Sequence, residues 1–163
     1  MILSELPPVP VQQIVCKDCN SNEKYTLEFL QSRGINNKYA IATVMGNIKQ
    51  ESKFITNICE GGARVTYNNC LSGGFGLIQW TSSNRYYGLG SFCQKYGLDP
   101  NSISGQLRYM VNESQWTKYE MVLKGHGYSV DHFMHHAYYW LGWGIHGNRT
   151  TYSHQYLDKF SLI

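Results

Sequence analysis

Nowhere does this 163-residue chain reach the roughly 20 consecutive apolar residues that a membrane-crossing helix needs, so no span is expected. No charged stretch leads into an apolar run near the start, and a secretory signal is therefore not expected either. Lysine-rich runs are missing too. The net charge is only +3, and the tyrosines and tryptophans crowded between residues 138 and 156 are not interleaved with basic clusters. That combination argues against a nucleic-acid partner, while leaving a mild attraction to anionic polymers. There is no internal repeat and no sign of a second globular unit; a chain of this length buries about 70% of its unfolded surface in one core. Proline is scarce, yet Pro7, Pro8 and Pro10 stand together near the start and favour an extended backbone. The sequence thus divides into an extended arm or linker over residues 1–22 and a domain over residues 23–163.

The five cysteines are an odd number, so at least one thiol stays unpaired if bridges form within the chain. Cys16 and Cys19 make a single C-x-x-C, while Cys59, Cys70 and Cys93 are scattered. A Cys59–Cys70 bridge would brace a loop poor in apolar surface. A four-cysteine zinc site lacks a second close pair, and free, partly buried thiols are the default expectation.

Ile41, Val44, Met45 and Ile48 recur at steps of three and four, which share one helix face, and Glu51 continues the same series. Desolvation at the end of an apolar stripe, together with the negative end of the helix dipole, would raise the pKa of Glu51. A carboxylic acid kept protonated near neutral pH can hand its proton to a leaving group. The alternative is a polar last-turn residue, solvated or paired with lysine.

Beyond a polar stretch comes Gly73, Gly74, Phe75, Gly76, Leu77, Ile78, Gln79, Trp80, Thr81. Glycines permit positive φ and close backbone approach, while Gln79 and Trp80 offer an amide and a flat apolar ring, the two surfaces a sugar needs. A buried glycine turn with a core tryptophan is the alternative.

The remainder reads as helical scaffold. Three-and-four spacing predicts helices over residues 23–33, 84–96, 102–112, 115–123, 130–141 and 150–160; Gly34 stops the first, and Asn36 or Asn37 caps the helix bearing Glu51. Val65, Thr66 and Tyr67 favour a strand in a small hairpin within residues 54–72. His132 and His136, one helical turn apart, have the spacing of a zinc pair, but Phe133 and Met134 stand where a zinc peptidase carries its glutamate, so a polar helix flank is the better reading. A Cys-His peptidase built on Cys93 or Cys70 lacks a recognisable helix motif. No cofactor is expected.

Two motifs carry a resemblance. Gly46, Asn47, Ile48, Lys49, Gln50, Glu51, Ser52 followed by residues 74–81 resembles the phage tail lysozyme family, within the lysozyme-like superfamily that also holds goose-type lysozymes and lytic transglycosylases. The likeness covers residues 25–160. It implies a mainly α lysozyme-like domain with a small loop or hairpin region beside a cleft. The implied enzyme cuts the β-1,4 bond between N-acetylmuramic acid and N-acetylglucosamine in peptidoglycan. Glu51 matches the family's catalytic acid, and Gly76, Gln79 and Trp80 match its cleft-lining element. Phage origin implies a virion or tail location, or release through a holin, with residues 1–10 as an arm docking onto other tail or baseplate proteins.

The chain departs from some relatives in carrying no acid within Tyr139, Trp140, Leu141, Gly142, Trp143. Glu60, beside Gly61 and Gly62, is the candidate second carboxylate, with a solvated loop acid as its alternative. Without a second acid, the muramic acid's own 6-hydroxyl would close the reaction as a lytic transglycosylase. A glycan-binding tail component without turnover is the reading from a different class. Trp80, Trp140 and Trp143 are candidates to stack on sugars, at least one of the last two being core, while Gln79, Asn84 and Arg85 are candidates to bond acetamido or carboxylate groups.

Overall fold

A computed structural model describes residues 13–71 and 73–163. Among these, eight helices and two short strands follow one another as β1 (Ile14–Cys16), α1 (Ser21–Ser32), α2 (Lys38–Ser52), α3 (Tyr67–Cys70), α4 (Ser83–Tyr96), α5 (Ile103–Asn112), α6 (Ser114–Leu123), α7 (Val130–Leu141), α8 (Arg149–Lys159) and β2 (Phe160–Leu162). The fold is mainly helical, as the spacing predicts, and several helix starts have a local cause. Asn20 and Glu23 exchange side-chain and backbone bonds of 2.8 Å in a capping box at α1. Asn37 accepts from the Tyr39 and Ala40 amides at α2. Ser82, Ser102 and Ser129 cap α4, α5 and α7 in the same way. Gly34, at φ +88°, turns the chain out of α1 while Ile35 N donates back to Leu30 O at 3.2 Å.

Helix α2 is the axis of the molecule, and here the apolar stripe understates the burial. Every residue from Ala40 to Ile48 is buried, because α7 and α8 pack along the helix and α1 also touches it. Polar groups caught inside are satisfied internally: Thr43 Oγ1 donates to Tyr39 O at 2.7 Å and Asn47 Nδ2 to Thr43 O at 2.8 Å. Gly46 is the contact point with α8, since a Cβ there would lie 2.6 Å from the Ser153 amide nitrogen. The helix ends at Lys53, at φ 53°, which leaves Glu51 in its last turn at the protein surface.

Within the segment expected as an extended arm or linker, β1 pairs antiparallel with β2, Ile14 opposite Leu162 and Cys16 opposite Phe160, and the Gln31 amide satisfies both backbone groups of Ile14. The proline segment of the expected arm, within residues 1–12, lies outside the described residues. The hairpin over residues 54–72 shrinks to isolated bridges, Ile58 with Arg64 and Cys59 with Phe75, because the short helix α3 begins at Tyr67 and takes that residue out of any strand. Finally, four of the five thiols are bridged, as Cys16–Cys19 and Cys59–Cys70, each with Cα atoms 5.5 Å apart; Cys93 alone is a free thiol, and it is buried.

Candidate active site

The end of α2, the loop after it, residues 78–81, the start of α4 and the α7–α8 connection enclose a cleft of about 630 Å3. Glu51, Glu60, Gln79, Arg85, Trp143 and Arg149 line it. The carboxylates of Glu51 and Glu60 therefore open into one space. Glu60 gets there by lying over Gly74, where a Cβ would stand 2.7 Å from its own Cβ. The bare glycine makes room for the acid, and the Cys59–Cys70 bridge fixes the neighbouring residue.

The glycine-rich element is a tight backbone knot. Gly74 N and Phe75 N both donate to Trp80 O, at 2.6 and 3.3 Å, and Trp80 N returns a bond to Phe75 O at 3.0 Å. Gly73, Gly74 and Gly76 all take positive φ, and so does Gln79, at 53°. Gln79 Nε2 donates to Gly76 O at 2.9 Å and to Ile58 O at 3.3 Å, which locks its side chain at the cleft wall.

Three sequence candidates fall elsewhere. Trp80 is wholly buried, with its indole N–H donating to Glu113 Oε1 at 2.9 Å, so it has no face to offer a sugar. Gly76 is buried as well; a Cβ would lie 2.7 Å from Gln106 Oε1, which shows that the glycine serves close packing of the loop on α5. Asn84 is exposed on the first turn of α4, outside the set of cleft-lining residues. Trp140 is core and Trp143 lines the cleft, which divides the pair as expected.

The isolated acid foreseen for Glu51 is replaced by an ion pair. Arg149 Nη2 donates to Glu51 Oε2 at 2.6 Å, the arginine side chain being 4% exposed and the glutamate 18%. Arg149 Nη1 donates to Asn47 Oδ1 at 3.2 Å, and the guanidinium stacks on Trp143 at 4.5 Å from the ring centroid. One buried cation thus ties the acid, the helix below it and the aromatic wall together. Among the described residues no hydrogen bond uses Glu51 Oε1. Behind Arg85, the Glu113 carboxylate accepts from Arg85 Nε and Nη2, each at 2.8 Å. Burial first, and the Glu113 charge second, push the Tyr109 hydroxyl, which donates to Arg85 O, up to about 12.

Arg149 and Glu113 went unnoticed in the sequence. Arg149 does leave a trace there: with Ser153 and Tyr156 it forms the buried face of α8, and a charge on a buried face calls for a partner. Glu113 ends α5 with no comparable pattern around it. Among the described residues no cluster of three His, Cys, Asp or Glu is arranged to hold a metal ion, and His132 and His135 are exposed on α7.

A mainly helical domain whose central helix delivers a glutamate into a cleft beside a glycine-rich loop is the lysozyme-like class of protein. A family model described as phage tail lysozyme matches residues 21–160, and the chain belongs to that family. It is similar to Morphogenesis protein 1 of Bacillus phage B103, 30% identical over 108 residues that cover 61% of this chain and 26% of that protein. The chain therefore spans about a quarter of that relative's length. No solved structure matches it.

Proposed function

We propose that the protein is a muramidase, hydrolysing the β-1,4 bond between N-acetylmuramic acid and N-acetylglucosamine with Glu51 as general acid. The supporting observation is the placement of Glu51 and Glu60 in one cleft, with Oε2 of Glu51 tethered by Arg149 and Oε1 without a protein partner among the described residues. A proton on Oε1 passes to the glycosidic oxygen as the C1–O bond breaks, and the departing sugar leaves as an alcohol. The carboxylate left behind is an anion already in contact with a guanidinium, so Arg149 stabilises the charge that the transfer creates. The Glu60 carboxylate takes a proton from the water that attacks the oxocarbenium carbon. Trp143 and Gln79 hold the glycan by its apolar face and its polar rim.

Peptidoglycan is the proposed partner, met during infection or lysis. Among the described residues no helix is long and apolar enough to cross a membrane. Mass spectrometry of digested sacculi is the test. Reducing muramic ends are the expected product; 1,6-anhydro ends would replace hydrolysis by transglycosylation, with Glu60 then idle. Glu51→Gln, which removes the transferable proton and the negative partner of Arg149, should lower turnover by about 10²–10⁴-fold and lower the melting temperature while the fold is kept. Full activity in that variant would overturn the assignment.

A further inference from the structure

The connection between α7 and α8 has little to hold it. Gly142, Gly144 and Gly147 punctuate it, every residue from Gly144 to Asn148 is exposed, and Gly142 and Gly147 stand at φ 63° and 59°. Asn148, which caps α8, makes no side-chain capping bond. Yet this stretch carries Trp143 into the cleft and delivers Arg149, whose guanidinium meets a carboxylate 2.6 Å away on another helix. Something has to set its register.

One side chain does so. Gln50 Oε1 accepts from Asn148 N at 2.9 Å, and among the described residues no other hydrogen bond ties the main chain of residues 143–148 to an element other than α8. Gly147 admits that contact, since a Cβ there would lie 2.3 Å from Gln50 Nε2. Gln50 precedes Glu51 in the last turn of α2, and both line the cleft. The same turn therefore presents the acid and holds the chain one residue before its arginine partner. A shift of about 1 Å at that point would stretch the Arg149–Glu51 contact beyond hydrogen-bonding range.

We infer that Gln50 is a positioning residue for glycosidic cleavage, acting through Asn148 and Arg149 on Glu51. Its effect on turnover rests on the proposed muramidase reading, whereas its hold on α8 concerns the protein alone. The bond runs from a side chain on the rigid central helix to the backbone of a glycine-rich connection, so the order of the helix is passed to the residues that need it.

Gln50→Met keeps the length of the side chain and removes the acceptor. In 15N-labelled protein the Asn148 amide should then exchange with solvent about three- to tenfold faster, and the Trp143 indole resonance should move, because the guanidinium lies 4.5 Å from that ring. Gln50→Glu, which retains an acceptor oxygen, should keep the slow exchange. On soluble glycan strands Gln50→Met should lower kcat about three- to tenfold with KM within about twofold, and in an Arg149→Lys background that loss should shrink toward one. A raised KM with kcat intact would make Gln50 a substrate contact, and a loss of equal size in the Arg149→Lys background would sever it from Arg149; either result overturns the inference. A protein that cleaves no glycan, while the Asn148 and Trp143 signals respond as stated, leaves the hold on α8 standing and overturns the muramidase reading.

Discussion

Arg149 influences the cleft through the residues it grips and is a positioning residue. It joins Glu51 to Asn47 and lies against Trp143, a geometry that needs a flat fork with several donors. Lysine has the charge without the fork. Arg149→Lys should therefore cost at least about tenfold in kcat through a misplaced Glu51, with a change in KM well below that, measured on soluble glycan strands. Equal kcat would mean that charge alone suffices. Two of the three candidate sugar platforms, Trp80 and Trp143, separate by the same logic. Trp80→Phe loses a buried bond to Glu113 and should destabilise by about 1–3 kcal/mol with little change in KM, whereas Trp143→Ala should raise KM with little change in melting. The reverse pattern would exchange their roles. At this scale the sequence was informative about Glu51 and silent about its company, because a partner 98 residues away leaves no local periodicity.

Helices were the legible elements, and the reason is the density of local contacts. Residues three and four apart report on one face, and Tyr86, Leu89 and Cys93 on α4 or Phe133, Met134 and Ala137 on α7 turn out to be buried together. The three-residue strands could not be read, since β1 finds its partner at the far end of the domain and so short a run carries no alternation. Likewise the glycine loop was legible as a feature but not in its orientation, because only the fold decides whether Trp80 points to solvent or to Glu113. The meeting of α2 and α8 gives a prediction at this scale. Alanine at position 46 would favour the helix by about 1 kcal/mol from propensity alone. Its Cβ, however, would lie 2.6 Å from the Ser153 nitrogen and push α8 away, so Gly46→Ala should be net destabilising by about 1–3 kcal/mol. Activity should fall with it, since α8 carries Arg149; urea unfolding beside a clearing assay checks both.

Across the whole molecule, α1 and α6 are clamped by charge. Arg33 Nε reaches Glu120 Oε1 at 2.6 Å, Trp116 Nε1 reaches the same oxygen at 3.1 Å, and Lys124 stands 3.6 Å from the other. Burial pushes the Glu120 carboxyl upward, but the bonds from Arg33 and Trp116 and the charges of Arg33 and Lys124 outweigh it and hold it below its ordinary 4.5. A carboxylate depressed in the folded state binds its proton later than in the unfolded chain. Its stabilising contribution is therefore complete above about 4.5 and drains away as pH falls through the folded value. Glu120→Gln should accordingly lower the urea midpoint at pH 7, and the gap to wild type should close progressively as the pH falls below 4.5 and through the folded value. Because Arg33 is partly open to water, added salt should narrow the gap at pH 7 as well. A gap that persisted unchanged into acid would mean that the glutamate contributes by packing, and that the link between α1 and α6 is apolar.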